Sequence, residues 1–349
     1  MLEISKPRLI FWELTKKCNL SCLHCRAEAK KIDYSNELDL TQIKKIINSI
    51  AIYSSPILVL TGGEPLYRDD LFEIASYGIE KKLSLALATN GTLITKEIAA
   101  QIKKVGISRV SVSLDGWDEK THDSFRGEQG SFRKALQGIS FLREQGIDFQ
   151  INTTITKRNI NQLEKIIDLA VQKKAVALHL FMLVPVGCGL KIAETEMVSS
   201  FEYEKTLLWL SQFSRKNIID IKATCAPHYY RIIRQNNSWD ENFGKNKMEL
   251  KTKGCLAGSG VCFISNQGEV QPCGYLPLKV GNLLKKSFQE IWEQAEVFKF
   301  LRDEDQLKGK CGRCEFKKVC GGCRARAYYN YNDYLAEEPF CLYEPGKKG

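Results

Sequence analysis

Cys18-Asn19-Leu20-Ser21-Cys22-Leu23-His24-Cys25 is the stretch on which the reading of this 349-residue chain turns. It follows the strand-like run Arg8-Leu9-Ile10-Phe11-Trp12-Glu13-Leu14, and its cysteines are spaced C-x3-C-x2-C. Three soft thiolates on one loop suit a cuboidal 4Fe–4S cluster and leave its fourth iron without a protein ligand. A structural zinc loop is the competing reading. It calls for four closed ligands, and the available fourth, His24, is adjacent to Cys25, where the geometry is awkward.

Outward from that loop the chain alternates short apolar runs with helical patterns. Further strands are expected at 57–60, 84–88, 109–114, 149–155 and 177–183, with helices near 41–52, 70–81, 96–105, 132–144 and 163–172. Leu71, Ile74, Ala75 and Gly78 show the i, i+3, i+4, i+7 spacing of one buried helical face. Six strands alternating with five helices imply βαβ units, right-handed crossovers and a parallel sheet, with ligands at the C-terminal ends of the strands. The expected architecture is α/β, a partial (βα)6 TIM-type barrel over 1–190. A bridging region of helix (201–214) and polar loop (235–253) fills 191–254, and a small cysteine-rich domain fills 255–349, helical mainly at 287–301.

The 13 cysteines are an anomaly, because a chain this long can bury a core without staples. The number is odd, no signal peptide precedes the first strand, and the spacings are short, so the thiols read as metal ligands rather than disulfides. No apolar run reaches membrane-spanning length. At 44% hydrophobic and 26% charged, the chain is not disordered. The composition therefore disfavours a secreted disulfide scaffold and a membrane-spanning protein, and the chain is expected to be cytoplasmic. The net charge of +10 is scattered, without a basic stripe interleaved with aromatics. This disfavours nucleic acid as a partner and fits an anionic small substrate.

Two further motifs complete the pattern. Thr61-Gly62-Gly63-Glu64-Pro65 follows the second strand, where glycines let the backbone approach a ligand and Glu64 can accept from an ammonium. Near the C-terminus stand Cys255, Cys262 and Cys273, then Cys311-Gly312-Arg313-Cys314, Cys320-Gly321-Gly322-Cys323 and Cys341. A zinc ribbon from Cys311, Cys314, Cys320 and Cys323 is the structural alternative to iron–sulfur clusters here.

The cysteine loop, the Gly-Gly-Glu-Pro turn and the C-terminal set together resemble the radical S-adenosylmethionine (SAM) family with a SPASM extension. The resemblance implies a 4Fe–4S cluster bound to SAM at Cys18, Cys22 and Cys25, and one or two auxiliary 4Fe–4S clusters. By analogy, Cys255, Cys262, Cys273 and Cys323 would hold one, and Cys311, Cys314, Cys320 and Cys341 the other, leaving Cys188 and Cys225. The last close pair has two intervening residues where the family usually has three. SAM contacts are implied at Gly62, Gly63, Glu64, Pro65, Asn90, Ser111, Ser113, Asp115 and Asn152. Met182 and Leu183 fall near the adenine, and His24 takes a position that usually carries an aromatic.

Lys222-Ala223-Thr224-Cys225-Ala226-Pro227-His228-Tyr229-Tyr230-Arg231, Gln271-Pro272-Cys273-Gly274-Tyr275 and His122-Asp123-Ser124-Phe125-Arg126-Gly127 narrow the resemblance to the heme-biosynthesis group. It is nearest to the alternative heme b synthase. The implied reaction is oxidative decarboxylation of two propionates of Fe-coproporphyrin III to vinyl groups, giving heme b. A SAM-derived deoxyadenosyl radical would take a hydrogen atom from the propionate β-carbon. Related tetrapyrrole side-chain removal, in heme d1 or siroheme-dependent heme synthesis, is an alternative. So are a peptide maturase, which the 17 residues before Cys18 disfavour, and a non-catalytic iron–sulfur electron-transfer protein. An iron porphyrin with four propionates needs cations, for which Arg126, Lys222, Arg231, Arg324 and Arg326 are candidates. His228 and Cys225 could ligate the porphyrin iron or position a carboxylate. A low-potential electron donor such as flavodoxin or ferredoxin is the expected partner.

Overall fold

The computed structural model of the chain describes residues 4–32, 36–236 and 253–346. Most of the loop expected at 235–253 lies outside the described residues. The first half alternates strand and helix as the apolar pattern predicts. Strands β1 (Leu9–Glu13), β2 (Ile57–Thr61), β3 (Ser84–Thr89), β4 (Arg109–Ser113), β5 (Phe149–Ile155) and β6 (Ala177–Met182) fall within about two residues of expectation. Between them lie α1 (Leu40–Tyr53), α2 (Leu71–Glu80), α3 (Lys96–Val105), α4 (Glu119–Arg126), α5 (Ser131–Glu144) and α6 (Leu163–Gln172). Helix α2 buries Leu71, Ile74, Ala75 and Gly78, the face its periodicity marks out. Helix α4 escapes the apolar pattern because it is short and polar. Its signals are its caps, Asp118 accepting from Thr121 N–H and Gly127 in the left-handed region.

After two further helices, α7 (Ala193–Glu196) and α8 (Ser200–Ser214), the segment expected to bridge contributes β7 (Asp220–Thr224) and α9 (His228–Gln235). The cysteine-rich segment contributes β8 (Val261–Ile264), β9 (Glu269–Gln271) and β10 (Gly281–Asn282). The sheet order is β10-β9-β8-β1-β2-β3-β4-β5-β6-β7. It is parallel from β8 to β7, and only the β8–β9 and β9–β10 pairings are antiparallel. The six expected βα units are present, and a parallel strand is added at each side of them. The sheet therefore crosses both expected boundaries, 190 and 254. The 287–301 helix is interrupted at Ala295, whose extended ψ of 123° separates α10 (Phe288–Gln294) from α11 (Glu296–Arg302). Two more helices follow, α12 (Gly309–Arg313) and α13 (Arg324–Tyr331).

Alternation along the strands decides what each face can do. Ile10, Leu58, Leu85, Val110, Ile151 and Leu178 join one apolar core beneath the helices. The opposite, inner face is polar toward the later strands. There Ser113 pairs with Asn152, Asn152 with His179, and His179 with Lys222, a row across four strands.

Candidate functional site

The cysteine loop leaves the C-terminal end of β1 and is held by backbone contacts. Cys18 N–H donates to Lys30 O, and Cys188 N–H donates to Cys25 O at 2.9 Å. The Gly-Gly-Glu-Pro turn packs against the same loop. Gly63 N–H donates to Thr15 O at 2.6 Å and Glu64 N–H to Lys17 O at 2.8 Å. A Cβ at Gly62 would collide with Thr15 O, and one at Gly63 with Lys16 O and Lys17 O. The backbone these glycines approach is that of the cysteine loop. Gly63→Ala should therefore displace the loop and lower the iron retained per chain after anaerobic reconstitution.

Glu64 is not open to an ammonium. It is fully buried, and its carboxylate accepts from Thr89 Oγ1 (2.7 Å), Asn90 N–H (2.8 Å) and Leu66 N–H (3.2 Å). Burial pushes its pKa up to about 7 against those donors. The side chain staples the end of β2 to the end of β3, and Pro65 is buried at the turn. Asn90 Nδ2 lies 3.8 Å from Cys18 Sγ.

A second polar knot covers Cys22. Asp115, at the end of β4, is fully buried, and its Oδ2 lies 2.6 Å from Arg126 Nη2 and 3.4 Å from His24 Nε2. Asp115 Oδ1 accepts from Thr154 N–H at 2.7 Å. Arg126 Nη1 donates to Cys22 Sγ at 3.7 Å. Burial alone would raise the Asp115 pKa, but Arg126 and then His24 hold it below the ordinary range. His24 stacks on Phe125, centroids 4.1 Å apart, and burial lowers its pKa to about 4, so the imidazole is neutral at pH 7. Arg126 and Asp115 are thus paired with each other, where the sequence reading assigned one to propionates and the other to SAM.

The inner-face row carries the remaining expected SAM contacts, Ser111, Ser113 and Asn152, and adds two residues the sequence did not single out. Gln150 Nε2 donates to Asn152 Oδ1 at 2.9 Å and lies 3.0 Å from His179 Nδ1. Burial, then Lys222 and Arg109, lower the His179 pKa to about 3. Lys222 alternates with buried Ile221 and Ala223, which places it on this inner face. Met182 does not belong to it. In register with Ile155, its side chain is in the outer core, a correction that follows from strand parity. Leu183, beyond the strand end, is buried.

In the C-terminal set, Cys225, Cys255 and Cys273 pack against a small apolar cluster that includes Cys323. Cys262 is elsewhere. It sits on β8 opposite Ile10, fully buried in the main core on the outer face of the sheet, so its assignment with Cys255 is corrected. Cys320 is acted on by Cys341 and Cys311, and Cys314 by Cys311. The cations expected to clamp propionates here are engaged inside the chain. Arg231 reaches both oxygens of Glu204 at 2.6 Å and Gln235 Oε1. Arg324 donates to Tyr334 O, Ala336 O and Cys311 Sγ. Arg326 donates to Glu338, Tyr203 Oη and Cys225 O. His228 is fully buried with Nε2 3.0 Å from Glu338 Oε2, so it does not face an open cavity.

Residues 12–170 match the Radical SAM superfamily and residues 255–315 the SPASM iron–sulfur cluster-binding domain. The chain is 50% identical over 345 residues to the AdoMet-dependent heme synthase of Methanosarcina barkeri, covering 98% of each chain. It is 33% identical to the Fe-coproporphyrin III synthase of the same organism, covering 98% of this chain and 90% of that one. The chain belongs to the radical SAM/SPASM heme synthase family. The fold is also that of native anSMEcpe with bound AdoMet, with a TM-score of 0.74 at 19% identity over 96% of this chain and 94% of that one.

The radical SAM/SPASM enzymes carry a SAM-binding 4Fe–4S cluster and auxiliary clusters, and the residues present fit them. Leu20 N–H and Ala29 N–H each donate to a loop thiol, Cys18 Sγ and Cys25 Sγ, at 3.4 Å. Burial pushes the Cys18 and Cys22 thiols up to about 12 and about 11, so metal binding must displace their protons. Among the described residues no three His, Cys, Asp or Glu side chains are placed to hold a single metal ion. Beside the loop, buried His24 Nδ1 and Arg126 Nε have no hydrogen-bond partner, as expected where a bound group completes the site. Cys18, Cys22 and Cys25 would hold the first cluster. The strand-end and inner-face groups Asn90, Ser111, Ser113 and Asn152 would face SAM.

Proposed function

We propose that this radical SAM enzyme oxidatively decarboxylates two propionates of Fe-coproporphyrin III to vinyl groups, giving heme b. The observation that carries the reading is the contrast in likeness within one organism, 50% identity to its heme synthase against 33% to its Fe-coproporphyrin III synthase, both near full length. Bound SAM with its cluster supplies the hydrogen-abstracting radical. The chain supplies orientation and an environment shielded from water. Lys222 stands on the inner face of the sheet, level with His179. Each propionate loses one β-hydrogen atom, one carbon dioxide and one electron in becoming vinyl. A panel of iron tetrapyrroles, offered singly to the reconstituted enzyme, tests substrate choice. Fe-coproporphyrin III should be converted, and conversion of a siroheme derivative in its place would overturn the assignment.

A low-potential electron donor would dock beside the cluster loop. A pocket of about 340 Å³ is lined by Cys18, Asn19 and Leu20 of the cluster loop together with Lys17, Lys31 and Lys134. Among the described residues of that lining the one acidic side chain is Glu128, 2.8 Å from Lys31 Nζ. Three lysines beside the cluster loop suit a small acidic low-potential carrier, a flavodoxin or ferredoxin, steered by charge. The double variant K31E/K134E should lower carrier-driven SAM cleavage at low salt by about tenfold or more. Dithionite-driven cleavage should not change. Equal loss with both reductants would place the carrier elsewhere.

A further inference from the structure

We infer that Cys225, not Cys262, completes the auxiliary cluster site formed with Cys255, Cys273 and Cys323. A cuboidal cluster closed by protein takes four thiolates. Cys311, Cys314, Cys320 and Cys341 form one group of four around α12 and the C-terminal segment, where Glu338 N–H donates to Cys311 Sγ at 3.4 Å and Gly322 N–H to Cys320 Sγ at 3.5 Å. The other group lacks a member if Cys262 is excluded, and strand parity excludes it. Cys262 and Ile264 face outward with Ile10 and Trp12, whereas Phe263 faces inward and stacks under Arg26. Bringing Cys262 to the inner side would require a one-residue slip of β8 against β1 and would expose its whole apolar face.

Cys225 arrives from the opposite edge of the sheet. It follows directly on β7 in the left-handed region, φ 54°, a conformation a non-glycine residue keeps only when its surroundings hold it. They do so here. The Cys225 carbonyl accepts from Arg326 Nη2 at 2.7 Å and from Tyr203 Oη at 3.2 Å. Arg326 lies three residues after Cys323, so one guanidinium ties the Cys225 turn to the helix that Cys323 caps. Gly254, next to Cys255, packs so closely on Pro227 and Cys320 O that a Cβ there would collide with both. The side chains of Cys225, Cys255 and Cys273 accordingly pack against one apolar cluster with Cys323. The thiol left over by sequence spacing is the one the fold brings to the site.

The test uses the full chain with C18A/C22A/C25A, which retains only auxiliary clusters, reconstituted anaerobically. C262A in this background should keep about eight irons per chain and an unchanged reduced-state EPR spectrum. C225A should fall to about four irons, or show the oxidised-state signal of a three-iron cluster. C225S covers the case in which the alanine variant does not fold. An oxygen ligand should change the EPR signal of one cluster and leave the other as it was. Loss of iron in C262A, or unchanged iron and spectra in both Cys225 variants, would overturn the assignment.

Discussion

Arg126→Met should destabilise the chain by about 3–5 kcal/mol, because it leaves a buried carboxylate without its counter-charge. Asp115 is fully buried, and Arg126 Nη2, 2.6 Å away, is the first cause that holds its pKa below the ordinary range. In the native chain this contribution is present above about pH 4 and lost as the pH falls through the lowered pKa. In Arg126→Met the sign reverses. Burial then dominates, the folded pKa of Asp115 rises, and the penalty is relieved on acidification. Urea midpoints of the cluster-free protein at pH 5 and pH 7.5, under reducing conditions, read both effects. The variant also removes an N–H donor from Cys22 Sγ. Fewer hydrogen bonds to cluster sulfur should lower the potential of the loop cluster, which an EPR-monitored redox titration measures. Arg126→Lys keeps the charge without the planar fork and should fall between the two.

The second large effect is at Glu338. Its Oε1 accepts from Arg326 Nε (3.1 Å) and Phe340 N–H (3.2 Å), and its Oε2 from Arg326 Nη2 (3.1 Å) and Cys323 N–H (3.2 Å). His228 Nε2 stands 3.0 Å from Oε2. Glu338 is fully buried, and its own N–H donates to Cys311 Sγ, so the residue touches both groups of auxiliary cysteines. Glu338→Gln preserves the shape and removes the charge, stranding Arg326 as a buried cation at a cost of about 3–5 kcal/mol. Iron loss should extend to both auxiliary clusters. The Arg231–Glu204 pair is the control. Arg231 is nearly as buried as Arg326 but Glu204 is 25% exposed, so water can reach the site and Glu204→Gln should cost less than Glu338→Gln.

The fold was legible where apolar periodicity was strong. The runs that became β1 to β6 and the face of α2 are readable because burial alone dictates them. Strand β7 was not, since Asp220-Ile221-Lys222-Ala223-Thr224 has two apolar positions and turns its charges to the inner face. The cysteine loop was legible because its ligands lie within eight residues on one loop. The auxiliary set was half legible. Spacing shows that cysteines cluster but not on which side of a strand a thiol points, so Cys262 read as a ligand and Cys225 as a remainder. Arg324 and Arg326 read as substrate clamps because an arginine's partner is invisible until the chain folds. For Arg326 that partner is a carboxylate twelve residues on.

The measurement that bears most directly on the proposed function is anaerobic turnover of Fe-coproporphyrin III with SAM and a low-potential reductant, followed by mass spectrometry. Heme b is the expected product, with two carbon dioxides released and two molecules of 5′-deoxyadenosine formed for each heme. SAM cleavage that leaves all four propionates of Fe-coproporphyrin III intact would contradict it.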